Sequence, residues 1–233
     1  MRKMSVLLLL FAIAPLWAQV QKPTFESIEA AKDVKLTLDP ADPFWAAARP
    51  VYLQVGTRGE AEMEYRTEVR SRWTKGAIYF LFSCPYKQLY VKPNPDTSKE
   101  TYELWNWNVA EVFLGSDFKD IKRYKEFEVS PQNEWIDLDV DLHKPHHEEG
   151  WVWNSNFQHL ARVDSERHIW YAAMKIFFAG LDTPSPQEGI IFLVNLFRTE
   201  GPRDHSVEVL WQPTMSETFH VPEKFGLLKL VAK

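Results

Sequence analysis

Cysteine is almost missing. Cys84 is the only one in 233 residues, which excludes an intrachain disulfide and any metal site built from several thiolates. Glycine is scarce, with nine in the chain. Neither a Gly-rich phosphate loop nor a Gly-x-Ser-x-Gly elbow occurs, so nucleotide-loop and serine-hydrolase chemistry find no support. Positive charge is in deficit, 27 Lys and Arg against 32 Asp and Glu, which argues against nucleic acid as a partner. Apolar runs are short. The one at residues 6–13 falls well below the ~20 residues that a membrane helix needs, and no membrane anchor is expected.

Aromatic residues are plentiful by contrast, at 14% with ten Trp. Together with 45% hydrophobic and 25% charged residues, this is the composition of a globular domain large enough to bury its own core. Arg2 and Lys3 precede the apolar run, and Pro15-Leu16-Trp17-Ala18 follows it. A basic start, a short apolar stretch and a small residue read as a secretory signal over residues 1–18, cut near Ala18. Its removal takes away two positive charges, and the mature protein is expected to be exported, secreted or periplasmic. Residues 19–35 are polar and read as a lead-in arm. The domain is expected to span residues 36–233.

Within the domain the dominant period is two. Val69, Ser71 and Trp73 alternate with Glu68, Arg70 and Arg72; Lys75-Gly76 supplies a turn; Ile78, Phe80, Phe82 and Cys84 alternate on the return. That spacing predicts a hairpin. Ala110, Val112 and Leu114 alternate with Val109, Glu111 and Phe113, and Phe127 and Val129 with Glu126 and Glu128. Ile136, Leu138, Val140 and Leu142 alternate with Trp135, Asp137, Asp139 and Asp141. Further strands are expected at residues 169–177, 190–198 and 207–211, and a short helix near 43–49. Such a pattern predicts an all-β, antiparallel β-sandwich in one domain. Its acidic strand positions, Glu111, Glu128, Asp137 and Asp139, are expected to form one outer surface.

Trp45, Trp73 and Trp170 fit a core by their alternation. Trp105 and Trp107, in Leu104-Trp-Asn-Trp-Asn108, have no apolar partner face. Aromatic rings beside carboxylates and amides suit a sugar, because a pyranose offers an apolar C–H face to a ring and a hydroxyl rim to directional polar groups.

Six segments then resemble, in order, those of the family 9 carbohydrate-binding modules within the DOMON-like sandwich group. They are Leu38-Asp-Pro-Ala-Asp-Pro-Phe-Trp45, the hairpin over 67–84, Trp105 through Ala110-Glu-Val-Phe-Leu114, Tyr124-Lys-Glu-Phe-Glu-Val-Ser-Pro131, Asn195-Leu-Phe-Arg198, and Phe219-His-Val-Pro-Glu-Lys-Phe-Gly226. The resemblance covers most of the mature chain. It implies a jelly-roll or immunoglobulin-like sandwich that holds a glycan or terminal sugar between two aromatic rings and supports polysaccharide catabolism without being an enzyme.

By position, the resemblance puts the rings at Trp105 and Phe219, an acidic partner at Glu111, and the family's basic position at Glu128, a departure that reverses a charge. Trp107 and His220, next to the rings in sequence, complete the candidate sugar contacts. No cofactor is required on this reading, and structural calcium is compatible with it.

Asp137, Asp139 and Asp141 share one strand face and are candidates for Ca²⁺; His143, His146, His147, Glu148 and Glu149 are a weaker metal cluster. Two alternatives stand beside sugar binding. One is a b-type haem held by Met63, Met174, Met215 or His220. The other is hydrolysis of O-glycosyl bonds by a carboxylate pair. Arg198 is expected to be the buried partner of a strand carboxylate. The export reading predicts that N-terminal sequencing of the protein collected outside the cytoplasm begins close to Gln19; exported protein with Met1 intact would contradict it.

Overall fold

The computed structural model describes residues 22–144, 151–183 and 186–233. The expected signal segment and His146, His147, Glu148 and Glu149 lie outside the described residues. Twelve strands form one continuous sheet: β1 (Thr24–Glu29), β2 (Val51–Leu53), β3 (Thr67–Trp73), β4 (Ala77–Pro85), β5 (Val109–Gly115), β6 (Arg123–Val129), β7 (Trp135–Asp141), β8 (Gln158–Asp164), β9 (Ile169–Phe177), β10 (Ile191–Glu200), β11 (Val207–Leu210) and β12 (Gly226–Val231). The strand order is β7-β6-β5-β10-β12-β1-β3-β4-β9-β8, with β11 on β10 and β2 on β3. The only α-helix among the described residues is α1 (Pro43–Ala46), begun by the Asp42 side chain accepting from the Phe44 N–H.

The sheet folds over on itself. Phe127, Val112 and Val194 from one half share an inner core with Phe80, Trp170 and Met174 from the other. Period-two alternation sends every second residue of both halves into this layer. The hairpin is formed by β3 and β4 with Trp73 opposite Ile78, and the turn closes through Thr74 N–H to the Ala77 carbonyl at 2.9 Å.

Residues 24–29 do not form a loose lead-in. β1 pairs in parallel with β12 on one side and β3 on the other, the only parallel pairings among the described strands, and so joins the two halves. Phe25 and Ser27 point inward, and Ser27 Oγ lies 2.8 Å from Ser71 Oγ. A six-residue strand with one bulky inward residue gives almost no periodic signal, which is why the sequence reads as polar there.

Both outer faces are covered as well. Trp45 and Leu36 lie over Tyr79 and Leu81, and Arg72 is pinned beneath them by three carbonyls, those of Ile28, Phe44 and Glu29, at 2.8, 2.6 and 2.9 Å. On the other half, Leu104, Trp151 and Phe225 cover Phe113, Ile136, Leu138 and Phe197. The expected single acidic outer surface is therefore corrected twice. Strand register puts Glu128 opposite Ile136 and Asp137 opposite Phe127, so Asp137 and Asp139 turn to the face opposite to that of Glu111 and Glu128. And Glu111 and Glu128 are buried, not solvated.

Because β1 joins the halves at the middle of the sheet, a chain beginning at Ala30 should lose cooperative thermal unfolding. An unchanged melting temperature for that truncation would restore the loose-arm reading.

Candidate functional site on the outer face of β5 and β6

A one-turn 3₁₀ segment, Leu104–Asn106, enters β5 with Leu104 buried and Trp105 half-exposed. Trp105 packs edge-on against Tyr102, with centroids 5.3 Å apart. Phe219 stacks on Phe197 at 4.3 Å and 13°, while His220 stacks on Phe113 at 5.3 Å and sets Nδ1 2.6 Å from the Tyr124 hydroxyl. Burial pushes the Tyr124 phenol well above its ordinary pKa, so the phenol keeps its proton in this pair.

These groups border a pocket of about 270 Å³, lined by Trp105, Phe113, Phe219 and His220 on its aromatic side and by Glu111, Glu126, Thr199, Glu208, Glu217 and Thr218 on its polar side. The volume lies just under the ~300–1,000 Å³ usual for small-molecule sites, a size for one ring rather than a chain. The lining carries four glutamates and no Lys or Arg.

Of the residues expected at the site, the structure brings together Trp105, Glu111, Phe219 and His220. Trp107 is not with them: it borders a separate cavity with Lys92, Tyr102, Glu103 and Asn106, because it leaves the 3₁₀ turn as an extended cap residue. Glu128 does not line the pocket; it lies fully buried behind it.

The charge of the site is set by strand register. Glu111 on β5 is directly opposite Glu128 on β6, and Glu126, two residues from Glu128, shares their face. Like charges placed so oppose each other. Oxygens of all three approach within 4.8 Å of one another. One oxygen of Glu111, one of Glu126 and both of Glu128 are reached by no hydrogen-bond donor. Burial first, and the neighbouring glutamates second, hold Glu111 and Glu128 well above the ordinary carboxyl range, while burial raises Glu126 to about 7. A proton kept on one carboxyl can then bridge Glu126 and Glu128. Glu208 is raised by burial too, and is held back by Thr199 Oγ1 and Ser206 Oγ at 3.0 and 2.9 Å.

The sequence missed Glu126, Thr199 and Glu208. Glu126 was within reach, since period two puts it on the same face as Glu128; Glu208 depends on the pairing of β11 with β10, opposite Thr199, which no local pattern announces.

The other expected sites fare differently. Asp139 is ion-paired to Lys125 at 2.7 Å. Asp141 faces Arg123 and Lys144, both at 3.9 Å, and Asp137 accepts from the Ser155 N–H at 2.8 Å and from its hydroxyl. Among the described residues, the three aspartates do not converge as a group of metal-ligating oxygens. His143 lies 3.0 Å from Asp120 and is exposed.

The haem candidates are dispersed: Met174 is in the inner core, His220 on the outer face, and Met63 and Met215 are exposed, so no axial pair forms. For hydrolysis, Glu111, Glu126 and Glu128 lie together on one sheet face rather than across a cleft as the chemistry requires. Arg198 is fully buried and ion-paired to Glu200, with Thr67 Oγ1 3.0 Å from its guanidinium. Cys84, its thiol pushed up to about 12 by burial, is an inert core residue. A larger cavity, about 690 Å³, runs along Lys125, Asp139, Trp153 and Asp182, but Lys125 already binds both aspartates there, at 2.7 and 2.9 Å.

No family profile matches the sequence, and no curated protein matches it. Solved structures do resemble the fold. A family 9 carbohydrate-binding module from Caldicellulosiruptor kristjanssonii in complex with cellotriose superposes with a TM-score of 0.65 at 12% identity, covering 91% of this chain and 95% of that one. The same organism's family 9 module with glucose gives 0.64 at 12%, covering 89% and 96%. A Bacteroides uniformis protein provisionally described as carbohydrate-binding gives 0.70 at 14%, covering 90% and 100%.

The raised carboxyls set a pH dependence. A group whose folded pKa exceeds its unfolded value contributes stability below the unfolded pKa and loses it as pH rises through the folded one. For Glu126 that window runs from about 4.5 to about 7. His159, lowered to about 4 by burial, works in the opposite sense below about pH 6.5, so the comparison is made above it. In chelator, the melting temperature should be higher at pH 6.5 than at pH 8, by a few degrees, and Glu128→Gln should flatten the slope. An identical slope in both proteins would mean the cluster does not titrate in this range. With nearly the whole chain superposed, this protein has the fold of the family 9 carbohydrate-binding modules.

Proposed function

We propose that this is an exported carbohydrate-binding protein that takes a single sugar ring between Trp105 and Phe219 and thereby supports glycan breakdown by other proteins. The observation that carries the reading is one pocket with an aromatic wall and a row of carboxyl groups, on a fold shared with modules solved with glucose and cellotriose. Trp105 offers a ring face for the C–H side of a pyranose. Ionised carboxylates accept from hydroxyls, and a carboxyl that keeps its proton donates to them. This supplies both halves of the hydroxyl rim without Lys or Arg.

The test is calorimetric titration with glucose and cellotriose, with thermal melting of the same variants. Trp105→Ala should weaken binding by at least about 1 kcal/mol, roughly fivefold, and leave melting nearly unchanged because the ring is half-exposed. If Trp105 is instead a core residue, its truncation should cost about 3–5 kcal/mol of stability, with affinity per folded molecule unaltered. That result would move the site elsewhere.

A further inference from the structure

We propose that Glu111, Glu126 and Glu128 bind a hard divalent cation of the calcium class at the floor of the pocket. Two of the three, Glu111 and Glu126, line the pocket and give an ion a route in. The third is the independent pointer to a ligand: Glu128 is 0% exposed and no group outside the three glutamates hydrogen-bonds to either of its oxygens, yet one of them converges with the other two carboxylates.

Three oxygens within 4.8 Å of one another suit an ion whose bonds to oxygen are ~2.3–2.6 Å, with small side-chain adjustment, better than magnesium at ~2.0–2.1 Å. Oxygen-only ligands select a hard cation over zinc or copper. Three carboxylates leave coordination positions vacant in a shell of ~6–8; these fall to water, or to the hydroxyls of a bound sugar. On β7, Asp139 is paired with Lys125, and Asp141 with Arg123 and Lys144, whereas no Lys or Arg lines this pocket. Among the described residues, this is the only group of three convergent ligand side chains.

The inference stands apart from the sugar reading, because its probe is the metal alone. Chelator-treated protein is titrated with Ca²⁺ and Mg²⁺ by calorimetry, and with Tb³⁺ by luminescence excited through Trp, for which Trp105 on the pocket wall is a sensitiser. The expected result is one Ca²⁺ per chain, binding at least tenfold tighter than Mg²⁺, with a rise of several degrees in melting temperature at saturation. Glu128→Gln should weaken Ca²⁺ at least tenfold. In metal-free buffer the same variant should melt above the wild type, since it removes one of three mutually repelling carboxyls.

Glu111→Gln and Glu126→Gln repeat the test at the other two positions. Should none of the three fold, Ca²⁺-displaceable Tb³⁺ emission from the wild type, lost in Trp105→Phe, still reports an ion at this pocket. No Ca²⁺ binding below 1 mM, or binding that survives substitution of each of the three glutamates, would overturn the proposal. Sugar binding that persists at full strength in chelator would leave the sugar reading in place while separating it from the metal.

Discussion

Both faces of this sheet are buried, and the arrangement of the candidate site follows from that. In an antiparallel sheet with one wet face, glutamates at every second position are ordinary surface residues. Here Leu104, Trp151, Phe219 and Phe225 lie over the outer face of β5, β6 and β10, so glutamates that would have been solvated are enclosed beside Phe113 and Phe197. Register then sets Glu111 against Glu128. No side chain of opposite charge lines the pocket above them, and such a cluster persists only with protons or a cation among its oxygens.

The aromatic wall and the acidic floor are products of one pattern. Residues 109, 111 and 113 share a face; Val109 and Phe113 belong to the outer core, and Glu111 sits between them. Across the sheet, Phe197 lies beside Glu111 and carries Phe219 on its ring. Phe113 is thus anchored on a strand, Phe219 and His220 are stacked on strand residues, and Trp105 is held on its 3₁₀ turn against Tyr102. His220 is fixed from two sides, by Phe113 and by Tyr124, which holds the segment after residue 219 over the sheet. A site built in this way is preorganised by packing rather than by loop closure, and sugar binding should require little rearrangement.

Much of the fold was legible because period two is strong wherever both faces carry information. Ile78, Phe80 and Phe82, or Ile136, Leu138 and Val140, announce their strands without help. Trp45, Trp73 and Trp170 are fully buried, in the layers their spacing suggests. β1 was hidden because only Phe25 among its inward residues is large, and its parallel partners are remote in sequence. Which face of a strand meets which layer was also hidden: alternation separates Asp137 from Ile136, but only pairing with β6 shows that Ile136, not Asp137, shares the face of Glu128. For the site, Trp105, Glu111, Phe219 and His220 converge, whereas Trp107 is turned aside by the 3₁₀ segment and Glu128 lies beneath the pocket instead of within it. Burial of the glutamates could not be read from the sequence at all, because the covering residues come from loops.

The central claim is that three glutamate carboxyls on one buried face are electrostatically coupled and lack a protein counter-charge. It is tested most directly by following the side-chain carboxyl ¹³C resonances of Glu111, Glu126 and Glu128 across pH in chelator, each assigned by its Gln variant. The account predicts that all three titrate above the ordinary glutamate range, that Glu126 does so near 7, and that Glu126→Gln lowers the pKa values of Glu111 and Glu128. Three independent titrations close to the usual value of about 4.3, unmoved by the substitutions, would contradict it.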